Sequence, residues 1–157
     1  MYMSAKYTVV LSSANRVSGS TIPSAQYYFN WSALPEGEFN MSFTFYTTHS
    51  TLVAGNEMLV VQAKDLGVVV PSYTAGNTST SAVNNGFLGV ISPWASGSNN
   101  YIYAQYLSNC PLYIPHRPTN NIFTINLFLP DGTTPSTTTI NYVMTLVFEP
   151  LKWDNLV

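Results

Sequence analysis

Residues 38–48 decide the fold class, and they read Glu-Phe-Asn-Met-Ser-Phe-Thr-Phe-Tyr-Thr-Thr. Every second residue from Phe39 to Phe45 is large and apolar, while Asn, Ser and Thr stand between them. Successive side chains of a strand point to opposite faces of a sheet, so this alternation is typical of a strand with one buried face. A helix would space its apolar residues three or four apart. The stretch therefore predicts a half-buried β-strand.

The same alternation recurs twice toward the C terminus, at residues 122–129 and 140–149. The predicted buried residues of these two strands are Phe123, Ile125, Leu127 and Leu129, and Ile140, Tyr142, Met144, Leu146 and Phe148. Shorter runs rich in β-branched and aromatic residues predict further strands at 7–11, 25–31, 57–63, 66–70, 86–91, 101–107 and 112–114. Segments dense in Gly, Pro, Asn and Ser predict long loops at 12–24, 72–85, 92–100 and 131–139.

Many short strands joined by loops of about ten residues favour Greek-key crossovers over a simple meander. The expected fold class is all-β, a single jelly roll: an eight-stranded antiparallel β-sandwich with Greek-key connections. The composition does not change along the chain and no repeat of fixed period is visible. We therefore expect one domain over residues 1–157.

Charged residues make up 8% of the chain, against about 25% in an average soluble domain. With five basic residues and a net charge of −2, the chain cannot form the positive surface that neutralises phosphates, so we expect no direct contact with nucleic acid. No apolar run approaches the roughly 20 residues of a spanning helix, and the first residues lack the apolar core of a signal peptide. We expect no membrane span.

Cysteine and titratable residues are too few to nominate a reaction centre. The single Cys110 excludes an internal disulfide and a multi-cysteine zinc site, and its role is left open. Glu36 and Glu38 could form a carboxylate pair for glycoside hydrolysis, but a solvated turn before a strand is the favoured interpretation. A metal site joining His49 to His116 would need a third ligand that the sequence does not nominate. We therefore expect no enzyme activity, no cofactor and no metal.

Two groups of residues are candidates for binding. His116 and Arg117 lie between two prolines, where they could form a subunit contact or a ligand clamp, or only a rigid loop with its polar side chains in water. Trp94, Tyr101 and Tyr103 could stack against sugars, which would make the protein a carbohydrate-binding jelly-roll module. Packing in the core or at a protein interface is the alternative for these aromatic residues.

Two parts of the chain resemble a known group of proteins. Residues 9–19, Val-Val-Leu-Ser-Ser-Ala-Asn-Arg-Val-Ser-Gly, and the aromatic run 26–31 are similar to the opening of single jelly-roll capsid proteins. These are the penton and minor capsid proteins of large icosahedral double-stranded DNA viruses and their virophages. Residues 114–118, 122–132 and 143–151 resemble the last strands of the same group.

The resemblance implies a penton protein, whose homopentamer closes the fivefold vertices of an icosahedral shell. It equally admits a minor capsid or cement protein at another position of the capsid. The implied location is the virion, and the implied partners are other copies of the chain and the neighbouring major and minor capsid proteins. The resemblance also implies that residues 1–6 and 152–157 are short arms. In the second arm, Trp153, Leu156 and Val157 would be subunit contacts.

Overall fold

The computed structural model describes most of the chain. It covers residues 5–46, 59–69, 72–74, 82–84, 86–95, 101–105, 112–137 and 141–151, with the backbone alone at 72–74, 82–84, 92–95 and 101–105.

The described chain is built from short strands and single 3₁₀ turns. The strands are β1 (Tyr7–Ser12), β2 (Ser24–Tyr28), β3 (Phe39–Tyr46), β4 (Leu59–Gln62), β5 (Ser72–Thr74), β6 (Ala82–Asn84), β7 (Phe87–Ala95), β8 (Tyr101–Gln105), β9 (Leu112–Ile114), β10 (Ile122–Phe128) and β11 (Val143–Pro150). The 3₁₀ turns are Ser13–Asn15, Trp31–Ala33 and Lys64–Leu66.

Two antiparallel sheets form the body of the protein. Sheet A has four strands in the order β1-β11-β3-β9, and sheet B has five in the order β2-β10-β4-β7-β8. The strands β5 and β6 form a separate two-stranded hairpin. Successive strands alternate between the two sheets from β1 to β4 and again from β8 to β11. The predicted all-β, antiparallel β-sandwich is confirmed.

The core lies between the sheets, and the alternation in the sequence predicts its members. Phe39, Met41, Phe43 and Phe45 are all buried, as residues 38–48 predict. The predicted buried residues of these two segments that the structure describes are buried as well, except that Leu129 is only partly covered. Ile140 lies outside the described residues.

Trp31 occupies the middle of the core and joins the two sheets. Its ring centroid lies 5.3 Å from that of Phe123 in β10 and 5.5 Å from that of Phe148 in β11. The indole Nε1–H donates a hydrogen bond to the carbonyl of Asn120 at 2.9 Å, so the one polar atom of the ring is satisfied. One side chain thereby contacts both sheets.

Two predicted strands end or fail for local reasons. The predicted strand 25–31 ends at Tyr28, because the side chain of Asn30 accepts a hydrogen bond from the Ser32 backbone N–H and begins the turn Trp31–Ala33. The predicted strand 66–70 is wrong over residues 66–69, and Val70 lies outside the described residues. Its first residue closes the turn Lys64–Leu66, and Gly67 follows in the left-handed conformation with φ of 71°.

Two predicted loops contain strands. The prediction for residues 72–85 missed the β5–β6 hairpin, and the prediction for residues 92–100 began too early because β7 continues to Ala95. In both places Ser, Pro and Gly in the sequence favoured a loop, whereas pairing with a neighbouring strand formed a ladder. Propensity is a weak guide where a partner strand supplies the hydrogen bonds.

Candidate functional site

The β2–β3 loop and the segment between β9 and β10 meet at one end of the sandwich. Phe39, the first residue of β3, pairs with Ile114, the last residue of β9. Ile122, the first residue of β10, pairs with Tyr28, the last residue of β2. The ladder therefore brings the two connections together and places His116 and Arg117 beside the β2–β3 loop.

Arg117 links the β9–β10 segment to the β2–β3 loop. Its Nη1 donates to the carbonyl of Leu34 at 2.9 Å, and its Nη2 lies 3.3 Å from Oε1 of Glu36. The arginine side chain is 27% exposed and the glutamate 87%, so water screens the ion pair strongly. The hydrogen bond to the Leu34 carbonyl is consequently the more important tie.

A tyrosine that the sequence did not single out makes the second tie. The hydroxyl of Tyr113 in β9 donates to Oε1 of Glu38 at 2.6 Å. This bond to the carboxylate raises the pKa of Tyr113, and desolvation and the charge of Glu38 add to the rise. Glu36 and Glu38 thus each bond to a side chain of the β9–β10 region.

A shallow depression of about 270 Å³ lies beside these ties, lined by Glu36, Gly37, His116, Arg117 and Thr119. His116 is exposed there. Among the side chains that the structure describes, no three of His, Cys, Asp and Glu are grouped closely enough to hold a metal ion. The arrangement offers hydrogen bonds and a rigid surface, which suit recognition of a neighbouring molecule.

Charge is concentrated at this end of the sandwich, which we call the charged end. Seven of the nine charged residues in the described part of the chain lie at or toward it: Lys6, Glu36, Glu38, Lys64, Asp65, Arg117 and Glu149. The opposite end, where β1 and β10 finish, we call the neutral end. Its two charged residues, Arg16 and Asp131, both bond within their own loops.

The loop bonds of the neutral end are short and numerous. Arg16 donates from Nε to the Ser20 carbonyl and from Nη1 to the Ser13 carbonyl, at 2.7 Å each. Asp131 accepts the backbone N–H groups of Thr133 and Thr134 on Oδ1 at 2.8 Å each, and the hydroxyl of Thr134 on Oδ2. The Thr134 hydroxyl and these N–H groups lower the pKa of Asp131 to about 2. Both side chains therefore stabilise the loops in which they lie.

A buried tyrosine pair closes the core behind these loops. The hydroxyl of Tyr27 donates to that of Tyr142 at 3.1 Å, and the ring of Phe45 stacks on Tyr142 at 4.6 Å. Desolvation is the main reason that the pKa of each tyrosine is raised. Both described charges of the neutral end are thus bonded within their loops, and the tyrosine pair behind them is buried.

For some of the other predicted site residues the structure describes only the backbone, and the rest lie outside the described residues. Trp94 in β7 lies opposite Ile102 in β8, whereas Tyr101 and Tyr103 lie opposite Ala95 and Pro93. The three aromatic residues thus occupy paired strands, although none of them is directly opposite another. The following lie outside the described residues: His49, Cys110, Trp153, Leu156 and Val157.

The sequence analysis singled out neither Tyr113 nor the bonds that Asp131 makes within its turn. The first miss has no local signal, because Glu38 is 75 residues away in the chain. The second has one: a Pro-Asp-Gly turn followed by two threonines supplies the N–H and hydroxyl donors that an aspartate at its head can accept.

Within the described residues, no helix has the length and apolar character needed to cross a membrane. No family model matches the chain, and no curated protein matches its sequence.

Proposed function

We propose that the protein is a structural subunit of a viral capsid, a penton whose homopentamer closes the fivefold vertices of an icosahedral shell. The observation that carries the proposal is the interleaving of early and late strands. In sheet A the last strand, β11, lies between β1 and β3, and in sheet B β10 lies between β2 and β4. This order, with its crossings between sheets, supports a jelly roll with Greek-key connections, the fold that the sequence resemblance implies.

The distribution of charge supports assembly through the sides of the sandwich. The outermost strands of the two sheets are β1 and β9, and β2 and β8, and none of them contains Asp, Glu, Lys, Arg or His. A charge at a contact in a symmetric ring is repeated in every copy and must be desolvated each time. Side strands without charge avoid this cost.

In this proposal the function is shape and complementarity, without a chemical step. The partners are other copies of the chain and the neighbouring major and minor capsid proteins, and the location is the virion. The charged end, with its depression beside Arg117, is a second surface through which a neighbouring capsid protein could be recognised by hydrogen bonds.

The first test is the mass of the purified protein, measured by analytical ultracentrifugation over a hundredfold range of concentration. We expect a species of five times the 17.3 kDa of one chain. A monomer at every concentration would contradict the proposal.

The second test is cryo-electron microscopy of the virion, which distinguishes a penton from a minor capsid or cement protein. We expect density for this fold at the fivefold vertices. Density at another position would overturn the penton assignment and leave the minor capsid alternative standing.

A carbohydrate-binding module is the second candidate, with Trp94 of β7 and Tyr101 and Tyr103 of β8 as its stacking residues. Because Trp94 pairs with Ile102 and successive positions alternate between the faces of a sheet, the register does not group all three on one face. Its test is a glycan array with the wild type, Trp94→Ala and, as a control at another exposed aromatic residue, Tyr46→Ala. Binding that Trp94→Ala abolishes and Tyr46→Ala preserves would support it. Absence of binding by the wild type would eliminate it.

A further inference from the structure

A groove of about 380 Å³ runs along one side of the sandwich between the outermost strands β1 and β2. It is lined by Val9, Val10, Leu11, Ser12, Asn15, Val17, Tyr27, Tyr28 and Phe29. No residue of this lining is charged. We call it the edge groove.

The walls of the edge groove differ in how their backbones are covered. The β1–β2 loop covers the outer side of β2 at Gln26, whose carbonyl accepts the Val17 N–H at 2.8 Å and whose N–H donates to the Ser20 hydroxyl at 3.3 Å. Among the described residues, only β11 pairs with β1, so the other side of β1 has no strand partner.

Strand edges of this kind join other strands unless something prevents it. Soluble proteins protect them with charged side chains, prolines, bulges or a covering segment. β1 reads Tyr-Thr-Val-Val-Leu-Ser, which contains neither charge nor proline, and it pairs with β11 in continuous register from Tyr7 to Ser12. Among the described residues, its outer side has none of these protections.

Exposed apolar side chains are also concentrated here. Val10 is 64% exposed and Tyr28 is 67% exposed, and these are the two highest values among the large hydrophobic residues of the described chain. Both line the edge groove. Such exposed apolar residues beside an unpaired strand edge favour a protein–protein contact.

We propose that the edge groove is a subunit contact that receives the opposite side of a second copy of this chain, the side formed by β8 and β9. The inference rests on the proposed assembly into a ring and names the surface through which it occurs. In a cyclic ring each copy contacts its neighbours through two different surfaces, and these are the two sides at which the sheets end.

The absence of charge on both sides favours a second copy as the occupant. The four strands at the two sides contain no charged residue, whereas the described charges lie mainly at the charged end. Two neutral sides can approach without like-charge repulsion or the desolvation of an ion. An acidic or basic partner would gain no attraction from the edge groove.

The test compares the oligomeric masses of Val10→Lys and Tyr28→Lys with those of the wild type and Val90→Lys. Both groove positions are highly exposed, so lysine there should not disturb folding, and thermal unfolding checks this. Val90, 38% exposed in β7, provides a matched control, since β7 is an inner strand of sheet B. We expect the groove variants to need at least tenfold more protein to assemble than the wild type and Val90→Lys.

The outcomes separate this inference from the proposed function. A wild-type pentamer that persists in folded Val10→Lys and Tyr28→Lys overturns the edge groove and leaves the penton proposal intact. Equal dissociation of Val90→Lys overturns the groove as well, because the effect would then be general to added charge. A wild type that forms another oligomer, dissociated only by the groove variants, supports the groove and overturns the pentamer. A wild-type monomer overturns both.

The identity of the opposing surface is tested with a benzophenone amino acid at position 28. Irradiation of the assembled protein should cross-link it to residues 101–114 of a neighbouring copy, as identified by mass spectrometry of the peptides. A cross-link to the neighbour's β1 or β2 would overturn the head-to-tail arrangement.

Discussion

At the scale of single residues, Asp131 shows how a charge can be used without facing a partner molecule. Its carboxylate satisfies two backbone N–H groups and one hydroxyl of the loop that follows β10. These donors favour the ionised form, which is why the pKa falls to about 2. The loop therefore depends on this group remaining ionised.

The first prediction concerns the stability of the fold at acid pH. Because the pKa of Asp131 in the folded protein is lower than in the unfolded chain, the group stabilises the fold above about pH 4, and this contribution is lost as the pH falls toward about 2. In Asp131→Asn the free energy of unfolding, measured with urea, should fall less between these pH values than in the wild type. Thr134→Val should shift the response in the same direction, since it removes the hydroxyl donor. Identical acid profiles for all three proteins would contradict the assignment.

At the scale of elements, Gly86 controls how β4 meets β7. Its carbonyl accepts the Ala63 N–H at 2.8 Å, and its φ is 77°. A Cβ at this position would lie 2.6 Å from Cα of Lys64, closer than two carbons can approach. The 3₁₀ turn Lys64–Leu66 and the start of β7 are thus packed backbone to backbone.

The second prediction compares two glycines with similar backbones. Gly19 has a φ of 87° but open space around its missing Cβ, so Gly19→Ala should lose only the left-handed strain of about 1–2 kcal/mol. Gly86→Ala bears the same strain and the clash with Lys64, and we expect it to be at least about 1 kcal/mol less stable than Gly19→Ala. Urea unfolding of both variants measures the difference. Equal losses of stability in the two variants would show that the turn Lys64–Leu66 shifts away from the added Cβ at no cost in free energy.

The elements that the sequence predicts are those whose burial alternates along the chain. The alternation of apolar and polar residues from Phe39 to Phe45 is visible in the sequence itself, so β3 is predicted nearly to its ends. Residues 66–70 mislead because the β-branched pair Val68–Val69 favours a strand, whereas the fit of Gly86 against Lys64 favours a turn at this point. Contacts between distant segments have no local signature. The partners of Arg117 are more than 80 residues away, so its position could be singled out from the sequence but its ties could not.

At the scale of the whole molecule, the two sheets depend on one aromatic cluster. Trp31 follows a strand of sheet B, yet it packs against Phe148 of sheet A as well as Phe123 of sheet B. It is almost completely buried, and its loss would open a cavity between the layers. The sandwich should unfold as one cooperative unit around it.

The third prediction follows from this position. Trp31→Ala should reduce the free energy of unfolding by about 3–5 kcal/mol, because it removes the largest side chain of the core and leaves the Asn120 carbonyl without its donor. Tyr46→Ala, at a half-exposed aromatic residue in β3, should change stability by less than about 1 kcal/mol. Chemical denaturation followed by circular dichroism measures both. A loss below about 1 kcal/mol for Trp31→Ala would show that the sheets do not rely on this contact.

The interleaving of strands has a consequence for synthesis on the ribosome. β11 contributes the ladder on one side to β1 and on the other side to β3, with Phe148 opposite both Tyr7 and Met41. A nascent chain that lacks its last strand therefore has two separated halves of sheet A with nothing between them. β1 therefore stays without its ladder partner until the residues of β11 have been synthesised. Sheet A consequently forms late, when β11 enters between β1 and β3.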